Sequence, residues 1–401
     1  MSRVLLVCIA LVLSACATVG APAPVESREN RPLTILISID GFHSDYLAWG
    51  ATPTLSALAA NGASGAMRPS FPSVTFPNHY TLVTGLHPDH HGIVGNAFID
   101  PVLGRFSMAR KETGWWDQAE PIWVTAERAG LTAGTMFWPG SETEIRGVRP
   151  THWAPFDQTL TGDARVDRLL QWMDGSSPPD LATLYFDIVD TAGHGNGPDA
   201  EATMVAAAAV DASISRLLRG LEARGLAGRA NLVIVSDHGM APTAPERAIY
   251  LDDLIEASAL QVIYAGAVAY LEPVPGREAE VEAALVRRHP HAECWTRATI
   301  PARFVLGSNP RVPSIVCLAD TGWLLATRAR PVTRSGGAHG YDNAAPAMSA
   351  LFIAHGPAFR QGVRLDSLDS VDVQPLLGRL LGIAVPAGDG QAADTLPAMI
   401  P

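Results

Sequence analysis

The chain has 401 residues, 47% hydrophobic and 17% charged, the balance of a compact α/β protein rather than a disordered or fibrous one. A formal net charge of −11 speaks against a broad nucleic-acid surface, because a polyanion needs a basic footprint. It leaves open a small phosphate substrate whose charge is met by bound cations.

Arg3 precedes the apolar run VLLVCIALVL, which leads into Leu13-Ser14-Ala15-Cys16. A basic start, an apolar stretch of about 7–15 residues and small residues before a cleavage point describe a signal peptide, too short to span a membrane as a mature helix. Its Leu-Ser-Ala-Cys ending resembles a bacterial lipoprotein signal. That implies removal of residues 1–15, lipidation of Cys16, a disordered tether over 16–32 and anchoring to the periplasmic side of a membrane, with Ala17 suiting the outer one. A plain signal peptide cut after Ala15 or Ala17 is the alternative. Cys8 leaves with the leader, so Cys294 and Cys317 remain in the body. Export to an oxidising compartment makes a disulfide between them an expectation, two separate buried thiols being the other reading.

LTILISID, from Leu33, is a continuous apolar run ending in Asp-Gly and predicts a buried parallel strand. Thr52-Pro53 opens a short helix that Gly62 ends. Residues 71–96, FPSVTFPNHYTLVTGLHPDHHGIVGN, then pack hydroxyl, imidazole and small residues too densely for a core helix, with a helix beginning near Thr75. Residues 120–129 read as helix, 131–138 as strand, 164–173 as helix and 181–187 as strand. The segment IVDTAGHGNGPD reads as a Gly-rich loop, residues 199–225 as a long helix and 232–236 as a strand ending in Asp237-His238-Gly239. Strands alternating with helices predict a doubly wound sheet with helices on both faces, with ligands beyond the carboxyl ends of the strands. From about 243 to 334 the texture changes to proline-punctuated strands and one charged helix, predicting an inserted α+β cap that carries both cysteines. The core of 33–242 resumes over 335–401 with GGAHG, the strand in SALFIAHGPAF and a helix in DSVDVQPLLGRLLGI.

Asp40, Asp190 and Asp237-His238 all fall at or just after strand ends, and with His194 and His339 they offer oxygen and imidazole ligands that suit Zn²⁺, with Mn²⁺ as a substitute. Asp190 and His194, four apart, can reach one ion. A threonine hydroxyl is a poor nucleophile unless a bound cation stabilises its alkoxide, and a helix N-terminus at Thr75 adds a favourable field.

In their order, ISIDGF, SFPSVTFPNHYTLVTGLHPDHHGIVGN, EPIWVTAE, FWPGSE, RPTHW, DTAGHGNGPD, VSDHGM and GGAHGYDN resemble the nucleotide pyrophosphatase/phosphodiesterase family of the alkaline phosphatase superfamily. The resemblance runs from residue 37 to 343 and implies an alkaline-phosphatase-like core sheet. It implies one zinc held by Asp190, His194 and His339, and another by Asp40, Asp237 and His238 with Thr75 as its reactive ligand. Asn96 would donate to a non-bridging phosphoryl oxygen, and the reaction would pass through a phosphothreonine. Phe76, beside the nucleophile, would stack a nucleobase unless it packs in the core, with Trp153 and Phe156 as candidates for the opposite wall. His79, His87, His90 and His91 exceed what two metals need and read as packing or surface histidines. Tyr341, after the ligand His339, reads as packing.

Monoesterases of this superfamily meet the extra phosphate charge with cations, and no lysine lies near FWPGSETEI in the sequence, although Arg146 does. A sulfatase Cys/Ser-x-Pro-x-Arg block is absent. Cleavage of nucleotide phosphodiester or pyrophosphate bonds is therefore the leading expectation. A phosphomonoesterase is the alternative, and a non-catalytic zinc- or nucleotide-binding lipoprotein the second.

Overall fold

A computed structural model describes residues 32–400. The leader, Cys16 and all but the last residue of the expected tether lie outside them. No helix among the described residues is long and apolar enough to cross a membrane.

Eight strands form the central sheet: β1 Leu33–Ile39, β2 Ala63–Met67, β3 Ala133–Met136, β4 His152–Trp153, β5 Leu181–Phe186, β6 Ala230–Val235, β7 Ala350–His355 and β8 Val363–Leu365. Their order is β8-β2-β7-β6-β1-β5-β3-β4. The register of β1 pairs Ile37 with Leu184 of β5 and Ile234 of β6, both in parallel. Only β7 runs against its neighbours, antiparallel to both β6 and β2, a reversal that its apolar run does not encode.

Strand periodicity divides the side chains between two cores. Leu36, Val233, Val235 and Phe352 face one layer, which holds Tyr80, Leu82 and Val83 of α2 (Thr75–Thr84), Val124 of α3 (Ile122–Arg128) and Leu376, Leu377 and Leu380 of α7 (Val373–Leu381). Ile35, Ile37, Ile39, Leu232 and Ile234 face the other. There they meet Leu55 and Leu58 of α1 (Pro53–Ala60), Val166 and Leu169 of α4 (Gly162–Met173), Val189 of α5 (Ile188–Asn196) and Val210, Ile214 and Leu217 of α6 (Glu201–Ala223). A sheet buried on both faces is what continuous Val/Ile/Leu strands require. The segment expected to be a loop, IVDTAGHGNGPD, is mostly the helix α5. Thr191 Oγ1 donates to the Asp187 carbonyl at 3.0 Å in its first turn. Gly193, a weak helix former, is needed because a Cβ there would lie 2.7 Å from the Met240 sulfur.

Between β6 and β7, five strands form a second, antiparallel sheet in the order Leu260–Tyr264, Val268–Pro273, Ile315–Ala319, Ala292–Thr296, Arg288–His289. The stretch read as one strand entering a turn is thus a hairpin. One face of this sheet packs Ala269, Leu271 and Ile315 with Val281 and Leu285 of the helix Glu278–Leu285. Val268, Tyr270 and Val316 on the other face join the main core. Cys294 and Cys317 stand opposite each other in this sheet and are disulfide-bonded. The insertion leaves and rejoins the core side by side, Ala241–Thr243 pairing antiparallel with Gly336–Ala338.

Two polar anchors bind the insertion down. Asp89 accepts from the backbone N–H groups of Gly307, Ser308 and Asn309, each at 2.9 Å. The buried Arg311 donates to Asp100 Oδ2 at 2.7 Å and to the Gly92, Trp115 and Gly114 carbonyls. It thereby fixes the hairpin of Ala97–Asp100 and Gly104–Ser107, whose first strand follows Asn96.

Candidate active site

Three adjacent parallel strands, β6, β1 and β5, end at the same edge, and the segments after them carry Asp237-His238, Asp40 and Asp190. Crowding of these ends explains Gly41. Its φ is +69°, and a Cβ there would lie 2.9 Å from the Asp190 backbone. His339 follows directly on Gly336–Ala338, and Thr75 opens α2. All six ligand candidates and the nucleophile candidate therefore come together, from segments up to 299 residues apart in sequence (339 − 40).

Each imidazole is tethered by one nitrogen and free at the other. Nδ1–H of His194 donates to the Gly337 carbonyl at 2.8 Å, that of His238 to the Gly239 carbonyl at 2.9 Å and that of His339 to the Ser73 carbonyl at 3.0 Å. A carbonyl only accepts, so each ring carries a proton on Nδ1, and in the neutral ring Nε2 presents the lone pair a cation would take. The Nε2 atoms of His194 and His339 lie 3.1 Å apart, and Asp190 Oδ1 lies 3.4 Å and 3.6 Å from them. His238 Nε2 is 3.0 Å from Asp237 Oδ2, 3.6 Å from Asp40 Oδ1 and 3.5 Å from Thr75 Oγ1.

The carboxylates follow the same pattern. Asp40 Oδ2 accepts from the Tyr185 hydroxyl at 2.6 Å, and Asp237 Oδ1 from the Gly41 N–H at 3.2 Å. Asp40 Oδ1, Asp237 Oδ2 and Asp190 Oδ1 are buried with no hydrogen-bond partner. Buried acceptors left this way are costly, and here they converge with imidazole lone pairs. The donors fall into two groups whose atoms lie within 4.8 Å of one another: Asp190, His238 and His339, and Asp40, Asp237 and His238. His238 thus belongs to both groups rather than to one alone, while His194 borders the first. Hard oxygens and tautomer-fixed imidazoles fit divalent cations, and the carbonyls behind the rings are the outer support such sites use.

The electrostatics are those of crowded charges: burial works against protonated His238, but Asp237 and Asp190 outweigh it and raise its pKa. Burial, then the Asp237 and Asp190 carboxylates, hold Asp40 well above the usual carboxylate range, and burial likewise raises Asp190. Burial also works against ionised Asp237, but His238 and His79 beside it outweigh this and pull it below its ordinary value. Burial, then His238 and His194, push His339 well down, so it stays neutral, as a ligand must.

Above this floor opens a cavity of about 850 Å³. Asn96 Oδ1 accepts from the Phe76 N–H at 2.9 Å, which leaves its NH₂ as the group offered to the cavity. Phe76 and Phe156 both line it, Phe76 braced by Phe106 and Trp116, Phe156 edge-on to Phe137. Trp153 does not. It lies on the edge strand β4, where Arg149 sits 4.7 Å over its ring, too far out to wall the site. The insertion supplies Tyr264, Gly266, Ala267 and Leu324 to another side of the cavity.

Three contributors escape a reading of the sequence. Tyr185 grips Asp40, and a phenol inside an otherwise apolar buried strand is the signal, since its hydroxyl must find a partner. His79 is wholly buried beneath Asp237 rather than spare. Lys111, the single lysine of the chain, is 31 residues from Glu142 in sequence, yet its Nζ meets Glu142 Oε1 at 2.6 Å. A lysine therefore does reach the FWPGSE segment, with its charge met there. Arg146 turns away and donates to the Asp117 carbonyl.

Residues 34–342 match the family described as type I phosphodiesterase/nucleotide pyrophosphatase. An uncharacterised pyrophosphatase/phosphodiesterase of Schizosaccharomyces pombe is 36% identical over 397 residues, covering 90% of this chain and 79% of that protein. Human ectonucleotide pyrophosphatase/phosphodiesterase family member 5 is 34% identical over 395 residues, covering 97% and 81%. The solved structure of an inactive form of murine ectonucleotide pyrophosphatase/phosphodiesterase 5, in complex with AMP, superposes with a TM-score of 0.89 at 33% identity. It covers 92% of this chain and all of that one. The fold is thus that of the alkaline phosphatase superfamily. With the family model matched over residues 34–342 and relatives similar along most of both chains, the chain belongs to the type I phosphodiesterase/nucleotide pyrophosphatase family of hydrolases.

Proposed function

We propose that this enzyme hydrolyses phosphodiester and phosphoric anhydride bonds of nucleotides, releasing nucleoside monophosphate through a phosphothreonine at Thr75 whose phosphorus still carries the nucleoside. The observation that carries this reading is the convergence of imidazole Nε2 atoms and partnerless carboxylate oxygens beside Thr75 Oγ1 at the start of a helix. The AMP bound by the murine relative supports a nucleotide as the substrate.

We assign Asp190, His194 and His339 to one Zn²⁺ and Asp40, Asp237 and His238, with Thr75, to a second, His238 standing close to both. Bound divalent cations supply charge that activates a hydroxyl and stabilises the oxygens of an in-line displacement. The chain does the rest. Thr75 Oγ1 attacks phosphorus as the bond to the leaving oxygen breaks, and the N-terminal field of α2 favours the anionic oxygen. The Asn96 amide donates to a non-bridging oxygen from a position fixed by the Phe76 N–H. Water then attacks the same phosphorus, the bond to Thr75 Oγ1 breaks, nucleoside monophosphate leaves and a proton from the water restores the hydroxyl. Phe76 and Phe156 are the aromatic surfaces offered to a nucleobase.

The test is turnover of bis(p-nitrophenyl) phosphate against p-nitrophenyl phosphate by the protein lacking residues 1–30, with zinc counted per chain. Two zincs and preferred diester turnover are expected. Preferred monoester turnover would establish the phosphomonoesterase alternative. Zinc binding without turnover would establish a binding protein. We further place the enzyme on the periplasmic side of a bacterial membrane, lipidated at Cys16, because the leader ends in Leu-Ser-Ala-Cys. Cys16→Ala should then abolish fatty-acid labelling and release the protein from the membrane fraction.

A further inference from the structure

His79 lies one turn below the nucleophile on α2 and is fully buried, as are Ser38 and Asp237 around it. Its Nδ1 is 2.9 Å from the Thr75 carbonyl and 3.4 Å from Asp237 Oδ2, both acceptors only, so Nδ1 carries the proton. Its Nε2 is 2.8 Å from Ser38 Oγ, the hydroxyl two residues before Asp40. Trp138 and Tyr185 stand edge-on to the ring, each at 5.1 Å between centroids, and the Trp138 indole N–H donates to the His79 carbonyl at 2.9 Å. The imidazole is boxed in, does not line the active-site cavity and meets three segments: the turn that carries Thr75, the strand that delivers Asp40, and Asp237 itself.

We propose that His79 is a positioning residue for the reaction, fastening the nucleophile's turn to β1: Nδ1–H holds the Thr75 carbonyl while Nε2 meets the Ser38 hydroxyl two residues before Asp40, with Asp237 alongside the ring. The proposal rests on the functional reading above. Its chemistry asks for a donor at the Nδ1 position: the proton holds the Thr75 carbonyl, so the placing of the nucleophile's turn over β1 and Asp237 depends on one ring. A shift of about 1 Å in a reacting group costs on the order of 100-fold in rate.

Two variants separate this role from packing. The amide nitrogen of His79→Asn falls where Nδ1 was, and that of His79→Gln where Nε2 was. With bis(p-nitrophenyl) phosphate and zinc-loaded enzyme, His79→Gln should lower kcat about 100-fold with KM within about twofold. His79→Asn should keep kcat within about fivefold of wild type, although both lose the packing of the ring and both lower Tm. Equal losses of kcat in the two variants, or a loss that appears in KM, would overturn the proposal. Should His79→Gln not fold, folded His79→Asn decides alone, and a 100-fold loss of kcat there is the overturning result. Wild type and Thr75→Ala run alongside. An inactive wild type sinks the functional reading and this one with it, whereas an active wild type with indistinguishable variants sinks this one only.

Discussion

At the floor of the cavity every reactive side chain is held by something that cannot move. Carbonyls of Ser73, Gly239 and Gly337 take the imidazole protons, the Gly41 N–H and the Tyr185 hydroxyl hold two carboxylates, and Asp40, Asp237, His238 and His339 are buried. At the rim the groups hold one another. Lys111 pairs with Glu142, Phe156 is 46% exposed, and Phe76 rests on Phe106 and Trp116. The floor is thus preorganised for one chemistry and the rim is adaptable, which suits an enzyme whose reacting group is constant while the rest of its substrate varies. The floor should accordingly answer to mutation in kcat, and the rim in KM.

The largest effect is expected at the nucleophile. Thr75→Ala should reduce turnover by at least about 10⁴-fold while zinc content stays at the wild-type value. Near wild-type turnover in that variant would break the division at its base. Removing the cations with EDTA should likewise abolish turnover and be reversed by zinc. Saturation at about 1,000 times Kd adds about 4 kcal/mol of stability, so calorimetry should show Tm falling on the order of 5 °C on chelation. An unchanged Tm would mean that the buried, partnerless oxygens hold no ion. Asn96→Ala should cost about 10²- to 10³-fold in kcat, the loss typical of one donor to a developing oxyanion. A change confined to KM would move Asn96 from floor to rim. Phe76→Ala or Phe156→Ala should raise KM for a dinucleotide about 10-fold, in line with base stacking of about 1–3 kcal/mol, with kcat little changed. Trp153→Ala, outside the cavity, should alter neither constant by more than about twofold.

The same division governs what the sequence discloses. The core strands are legible because burial on both faces demands unbroken apolar runs such as LTILISI and ANLVIV. The Asp and His residues at their ends stand out because nothing in a strand needs them. Helix α5 is hidden because Gly193 and Gly195 argue for a loop. Packing against α6 and Met240 decides otherwise, and places Asp190 and His194 one helical turn apart on a rigid element. Lys111 and Glu142 are illegible for another reason, since their pairing depends on a fold that joins two distant loops. Trp153 shows the reverse error. A tryptophan in the family-like block RPTHW invites a binding role, yet it sits on an edge strand under a guanidinium and does not line the cavity.

The paired strands at the base of the insertion have a consequence for specificity. His238 is the third residue before Ala241, and His339 directly follows Ala338, so these two ligands stand on either side of a closed neck. Whatever chain is threaded between the two strands, the neck keeps the ligands in register. Tyr264, Gly266, Ala267 and Leu324 all lie beyond it, on the cavity wall. Changes confined to those wall positions can therefore alter what the cavity accepts while the neck, and the Asp89 and Arg311 anchors behind it, keep the floor in place.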